Sequence, residues 1–109
     1  MPMFSFNKSS CESRLNDILQ DKFFKTARRN KILAKWAGGR LGYSGLTLEK
    51  YIRNTIFYYL LIPSDRKIIS RILSDFKKAG IHTTEGIIRQ KIRAIEERIK
   101  NKAHLKDVN

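Results

Sequence analysis

A chain of 109 residues is long enough for one hydrophobic core and too short for two. Its 23 lysines and arginines against 10 aspartates and glutamates give a net charge of +13, which directs it toward polyanions: nucleic acid, an anionic membrane surface or an acidic protein face. The longest unbroken apolar run, Ile56 to Ile62, excludes a bilayer-spanning helix.

The first ten residues, Met1 to Ser10, mix Ser and Asn with isolated aromatics and read as disordered in isolation. Nothing near the N-terminus resembles a signal-peptide core, and Glu12, Asp17 and Asp21 are out of place in an acid-poor transit peptide, so the expected location is the cytoplasm. The single cysteine, Cys11, has no partner for an intramolecular disulfide or a metal site. From Cys11 onward, Leu15, Ile18, Leu19 and Phe23 recur at helical spacing and lead into Ala27, Leu33, Ala34, Trp36 and Ala37. The spacing predicts one long helix over 11–37, stopped by Gly38 and Gly39. A connection follows, in which Gly42 suits a left-handed backbone and Ser44 is placed to cap the next helix through its hydroxyl. The second helix spans 46–61, with Tyr51, Ile52, Thr55, Ile56, Tyr59 and Leu60 on one face, and Pro63 ends it by biasing Ile62 toward an extended backbone.

Ser64 is placed as the N-cap of a third helix, with Asp65 in the first turn, where the helix dipole favours negative charge. Ile68, Ile69, Ile72, Leu73 and Phe76 form its apolar face, and Lys77, Lys78 and Gly80 mark its C-terminus. Thr84 caps the fourth helix, Glu85 lies in its first turn, and Ile88, Ile92, Ile95 and Ile99 make a narrow apolar seam. No stretch alternates convincingly enough to be a strand. The expected fold class is all-α, a four-helix bundle with a long N-terminal helix, its helices joined by short links that favour antiparallel neighbours. The first helix outruns the others, so its N-terminal part should overhang the body and offer Leu15, Ile18 and Leu19 to a partner.

The residue types that catalysis needs are missing or scattered. His82 and His104 lie 22 residues apart without a cysteine or histidine at ligand spacing, so no metal site is expected. Gly38, Gly39 and Gly42 follow no strand and precede no Gly-Lys-Ser/Thr, which excludes a phosphate loop. Glu96 and Glu97 point to different faces of a helix, and Glu96 is spaced to pair with Lys100. The reading is a binding module and not an enzyme.

The densest motif is Phe24-Lys25-Thr26-Ala27-Arg28-Arg29-Asn30-Lys31-Ile32-Leu33-Ala34-Lys35-Trp36-Ala37, followed by Leu41-Gly42. It resembles the ATPase inhibitor zeta subunit family of alpha-proteobacteria. The resemblance runs on in order through Gly45, Tyr51, Asp75, Ala79-Gly80, Glu85, Ile88-Arg89 and Lys91, and so covers about residues 24–99. This chain departs from the family's acidic or near-neutral habit, and within the first 23 residues only Phe4 or Phe6 answers to the family's early phenylalanine.

The resemblance implies a four-helix bundle and a partner, the catalytic head of the F-type ATP synthase with its α, β and γ subunits. With it the chain divides into a flexible or helical arm over 1–23 and the bundle over 24–103, and the last residues, 104–109, read as a frayed tail. The arm would wedge into the head and block hydrolysis, with Leu15, Ile18, Leu19 and Phe23 as apolar anchors and Phe24, Arg28, Arg29, Asn30 and Lys31 continuing the contact. An arm that orders only in its cleft gives up part of its interaction energy yet covers a large surface. Some members are thought to bind adenine nucleotide; no cofactor cradle is read from these residues. Two alternatives stand beside this one. The first is a family member that keeps the bundle without inhibiting. The second is a basic nucleic-acid binder using Arg89, Lys91, Arg93, Arg98, Lys100 and Lys102, although these are distributed around the fourth helix.

Overall fold

The structure is a computed structural model that describes the backbone of residues 2–108 and the side chains of residues 21–102. Four helices follow one another: α1 (Pro2–Arg40), α2 (Gly45–Leu61), α3 (Asp65–Lys78) and α4 (Glu85–Val108). No strand occurs among the described residues, and the all-α four-helix architecture read from periodicity is the one observed. α1 packs against α2 and α4, and α3 packs against the same two helices.

Three of the four helices meet in the core. Leu33, Ala34 and Ala37 come from α1, Ile68, Ile69, Ile72 and Phe76 from α3, and Ile88, Ile92 and Ile95 from α4. Trp36 closes one edge, its ring 5.7 Å from that of Phe76 and its outer side within 5.6 Å of the Lys91 ammonium. The apolar seam of α4 is therefore buried over its first two turns and more, with Ile99 half-buried at the end. α2 is different. It lays Tyr51 and Tyr59 against the core, but Thr55 is its one fully buried residue, and the Thr55 hydroxyl is satisfied by donating to the Tyr51 carbonyl at 2.7 Å.

The helix ends follow the local chemistry closely, with two corrections. The Ser64 hydroxyl accepts from the Lys67 amide at 3.3 Å, and the Thr84 hydroxyl from the Ile87 amide at 3.2 Å, so both N-caps form as expected. At the end of α3 the Ile81 amide donates to the Phe76 carbonyl and the Gly80 amide to the Lys77 carbonyl, with Gly80 at φ +75. This paired pattern satisfies carbonyls that the last turn leaves free and needs a left-handed residue that glycine supplies without strain. Ser44, by contrast, has the extended backbone of an N-cap but makes no side-chain cap bond, and the first residue of α2, Gly45, is left-handed at φ +56 where a helical residue would continue the turn.

The second correction concerns Gly38 and Gly39, which do not stop α1. The helix starts at Pro2, well before the expected Cys11, and passes through both glycines to Arg40. It then closes with the Tyr43 amide on the Gly38 carbonyl, the Gly42 amide on the Gly39 carbonyl, and Gly42 at φ +88. Gly38 is buried where α2 crosses: a Cβ there would lie 2.5 Å from Leu48 Cδ1 and 3.1 Å from Tyr51 Cδ2. Its role is close approach.

Leu48 can rotate away from an added methyl, but the Tyr51 ring is held by its hydroxyl, which donates to Asp75 at 2.9 Å. Gly38→Ala is therefore expected to cost about 1 kcal/mol from overpacking, net of any gain in helix propensity. Gly39, with nothing within 4 Å of its would-be Cβ, gives the opposite sign: Gly39→Ala should gain about 0.5 to 1 kcal/mol. Denaturant unfolding of the two variants side by side reads the difference.

Candidate partner-binding site

The face that a helix presents follows from its wheel, and in α1 the buried positions Leu33 and Ala37 define the inner side. Stepping back one turn from Leu33 and Ala34 reaches Arg29 and Asn30, which are also inside: Arg29 is 6% exposed and Asn30 2%. Arg28, Lys31 and Ile32 lie on the outer side. The four adjacent positions read as one contact segment, Arg28 to Lys31, are thus divided by the helix into an inward pair and an outward pair.

Arg29 spends all its donors within the fold. Its Nε and Nη2 both donate to Asn30 Oδ1, at 3.2 and 2.9 Å. Nη1 and Nη2 grip the Asp65 carboxylate in bidentate fashion at 3.2 and 2.7 Å, and Nη1 also donates to Glu96 Oε2 at 3.2 Å. Five contacts match the five N–H groups a guanidinium carries. The Tyr59 hydroxyl donates to the same Asp65 carboxylate at 3.2 Å, and the Tyr59 ring lies 5.8 Å from the guanidinium carbon. One side chain of α1 thereby meets α2, α3 and α4. Glu96, spaced for Lys100 on its own helix, reaches across to α1.

The electrostatics follow from these contacts. Burial pushes the Arg29 pKa down, but the hydrogen bond and charge of Asp65, with help from Glu96, outweigh it and the group ends above its ordinary value. The Arg29 hydrogen bonds hold the Asp65 carboxyl below the usual carboxylate range, against the opposing effect of its partial burial. Burial, then the negative charge of Asp65, raises the Tyr59 phenol.

Phe23 and Phe24 are exposed, 54% and 64%, and stack edge to face with ring centres 5.8 Å apart. Phe23 opens onto an apolar groove of about 210 Å³ between α1 and the end of α2, walled by Ala27, Ile56, Leu60 and Pro63. On the other side of α1, Lys25, Arg29, Glu96 and Lys100 border a cleft of about 320 Å³. Two lysines give it a basic rim, but Lys25 is within 3.1 Å of Asp21 and Arg29 has no donor left for a phosphate, so it does not fit an adenine nucleotide well. Among the described residues no three His, Cys, Asp or Glu side chains come together as a metal site, and no helix is long and apolar enough to cross a membrane. The side chains of Leu15, Ile18 and Leu19 lie outside the described residues. Along α4, Arg89 pairs with Glu85 at 2.8 Å and Lys91 covers Trp36, which removes two of the six cations from the proposed phosphate-binding row.

Sequence reasoning placed Arg29 and Asn30 among outward contacts. The signal that finds them was present, since both stand four residues before core positions of the same helix. Replacing Arg29 should be costly, chiefly because the buried Asn30 Oδ1 loses its donors. Arg29→Met is expected to destabilise the fold by about 1 to 2 kcal/mol in denaturant unfolding, Asp65 and Glu96 being 44% and 52% exposed and able to recover water. Arg29→Lys, which cannot hold a carboxylate in bidentate fashion, should cost a similar amount. Acid dependence follows from Asp65. Because its pKa is lower in the folded chain, the unfolded chain binds more protons as pH falls below about 4, so the stability it contributes is present above that pH and lost below it. Asp65 is 44% exposed, so solvent reduces the effect. Asp65→Asn should flatten the acid limb of a stability-against-pH curve.

No curated protein and no solved structure matches the chain. A family model described as ATPase inhibitor subunit zeta matches residues 1–102, a span that takes in the N-terminal 23 residues as well as the motif around Arg29. On that match, over nearly its whole length, the chain belongs to the ATPase inhibitor subunit zeta family.

Proposed function

We propose that this chain is a non-catalytic regulator that binds the catalytic head of the F-type ATP synthase, at its α, β and γ subunits, and blocks ATP hydrolysis with its N-terminal segment. In this reading residues 1–23 are the inhibitory arm, 24–103 the bundle that carries it and 104–109 a tail. The protein works in the cytoplasm, peripheral to the membrane-bound enzyme.

The observation that carries this reading is the family match through residues 1–102, which includes the arm. Two features support it. α1 has 39 residues, about 58 Å of helix, against about 25, 21 and 36 Å for α2, α3 and α4, so a single rod serves both arm and body. Among the described residues of α1 the fully buried positions begin at Arg29, while Asp21 to Lys25 are exposed, Phe23 and Phe24 included. Leu15, Ile18, Leu19 and Phe23 share one helical stripe and serve as anchors; Arg28 and Lys31 meet acidic surface at the mouth of the cleft. Arg29 and Asn30 act indirectly, by holding the base of the arm in the bundle.

The test is ATP hydrolysis by the cognate F-type enzyme in the presence of the full-length chain. Hydrolysis should fall while synthesis persists, and Ile18→Asp with Leu19→Asp should raise the half-inhibiting concentration by about tenfold or more, each tenfold being about 1.4 kcal/mol of binding. Unchanged hydrolysis with the full-length chain, despite co-purification with the enzyme, would show a family member that binds without inhibiting.

A further inference from the structure

α2 consists largely of residues that belong in a core, yet Thr55 alone among its 17 is fully buried. On the helical wheel its bundle-facing side centres on Thr55, flanked by Tyr51, Ile52 and Tyr59, all half-buried. The opposite side is a stripe made by Leu46, Lys50, Arg53, Phe57, Leu60 and Leu61, with Glu49 at its edge, every one of them exposed. Leu46 is 77% exposed, Phe57 56%, Leu60 50% and Leu61 81%. The apolar surface continues into exposed Ile62 and, across the groove at Leu60, to Phe23. The apolar part of this face is continuous over the C-terminal end of α2, from Phe57 through Ile62, with the charged residues on the turns before it, and an exposed apolar patch of this kind marks a surface that another body covers.

Charge selects that body. Lys50 and Arg53 stand within the stripe, and neither is in an ion pair among the described residues. Lys22 precedes Phe23, Arg66 and Lys67 follow Pro63, and Glu49, at the edge of the stripe, is the one carboxylate on α2. A second copy of the chain would set +13 against +13. The centre of a protein contact is depleted in lysine and in charge generally. An anionic bilayer suits both features: leucine and phenylalanine enter the boundary of the acyl chains, while the lysine and arginine stems lie along apolar surface and their heads reach the lipid phosphates.

We propose that the outer face of α2 docks this protein onto an anionic lipid bilayer, with α2 lying in the plane of the interface. The contact is peripheral, since no helix among the described residues is long and apolar enough to cross. It does not depend on the inhibitory role of the arm, and either can fail without the other.

Sedimentation of the full-length chain with vesicles, at physiological salt, tests the proposal. The chain should bind vesicles of phosphatidylcholine containing phosphatidylglycerol and leave vesicles of phosphatidylcholine alone. Phe57→Ser with Leu61→Ser, and separately Lys50→Gln with Arg53→Gln, should each lower partition by about tenfold. Ile87→Ser, at an exposed apolar position of α4, should leave it unchanged. All these positions are exposed, and helical circular dichroism confirms that the variants fold. Equal partition into both kinds of vesicle, or full partition by both double variants, overturns the proposal. It is overturned as well if Phe57→Ser with Leu61→Ser keeps vesicle binding but weakens affinity for purified F-type ATPase, because the face then belongs to a protein partner.

Discussion

The guanidinium of Arg29 occupies a place that apolar side chains hold elsewhere in the core, and the arrangement of the four helices is organised around satisfying it. A buried cation loses its hydration, and only well-placed partners offset the loss. Here the partners come from separate elements: Asn30 from the same turn, Asp65 from the first turn of α3, and Glu96 from the middle of α4. Tyr59 adds α2 by donating to the Asp65 carboxylate. Packings that slide α3 or α4 along α1 would separate these groups, so the network fixes register more than it adds to net stability. Isoleucines, which dominate the apolar core, tolerate many packings; a five-donor fork tolerates few.

Once the register is fixed, the close approaches follow. Gly38 lets the Leu48 and Tyr51 side chains of α2 press directly on the α1 backbone, and the Tyr51–Asp75 hydrogen bond ties that crossing to α3. Two left-handed glycines, Gly42 and Gly80, turn the chain sharply after α1 and α3, which keeps the connections short. The result is a core drawn from α1, α3 and α4 with α2 laid on the outside. The proposed arm and the bundle would be successive lengths of α1, which runs unbroken from Pro2 to Arg40, so Arg29 and Leu33 hold the stretch from which that arm would extend. The anchoring network and the proposed inhibitory function therefore meet in one helix.

How much could be read from the residues depended on whether the deciding interaction was local. Ser64, Thr84, Gly80 and Gly42 act within one turn of their own positions, and each does what its type and position imply. The seam of Ile88, Ile92 and Ile95 is a property of one helix and was equally legible. Gly38 was not, because a glycine that ends a helix and one that admits a neighbouring helix look alike until the neighbour is in place. Arg29 and Arg28 are chemically identical neighbours; the helical period puts Arg29 on the side of Leu33, and the positions of Asp65 and Glu96 in space make it an anchor.

The sequence by itself determined the class, the number of helices, most of their ends and the family, since propensity, capping, periodicity and an ordered motif all lie along the chain. Tertiary structure alone decided which carboxylates the interior cation holds, where a missing side chain is required, and that the apolar helix α2 leaves one face uncovered. These depend on contacts between residues far apart in sequence, such as Arg29 with Glu96, and a periodic pattern shows that a face is apolar without showing what comes to lie against it.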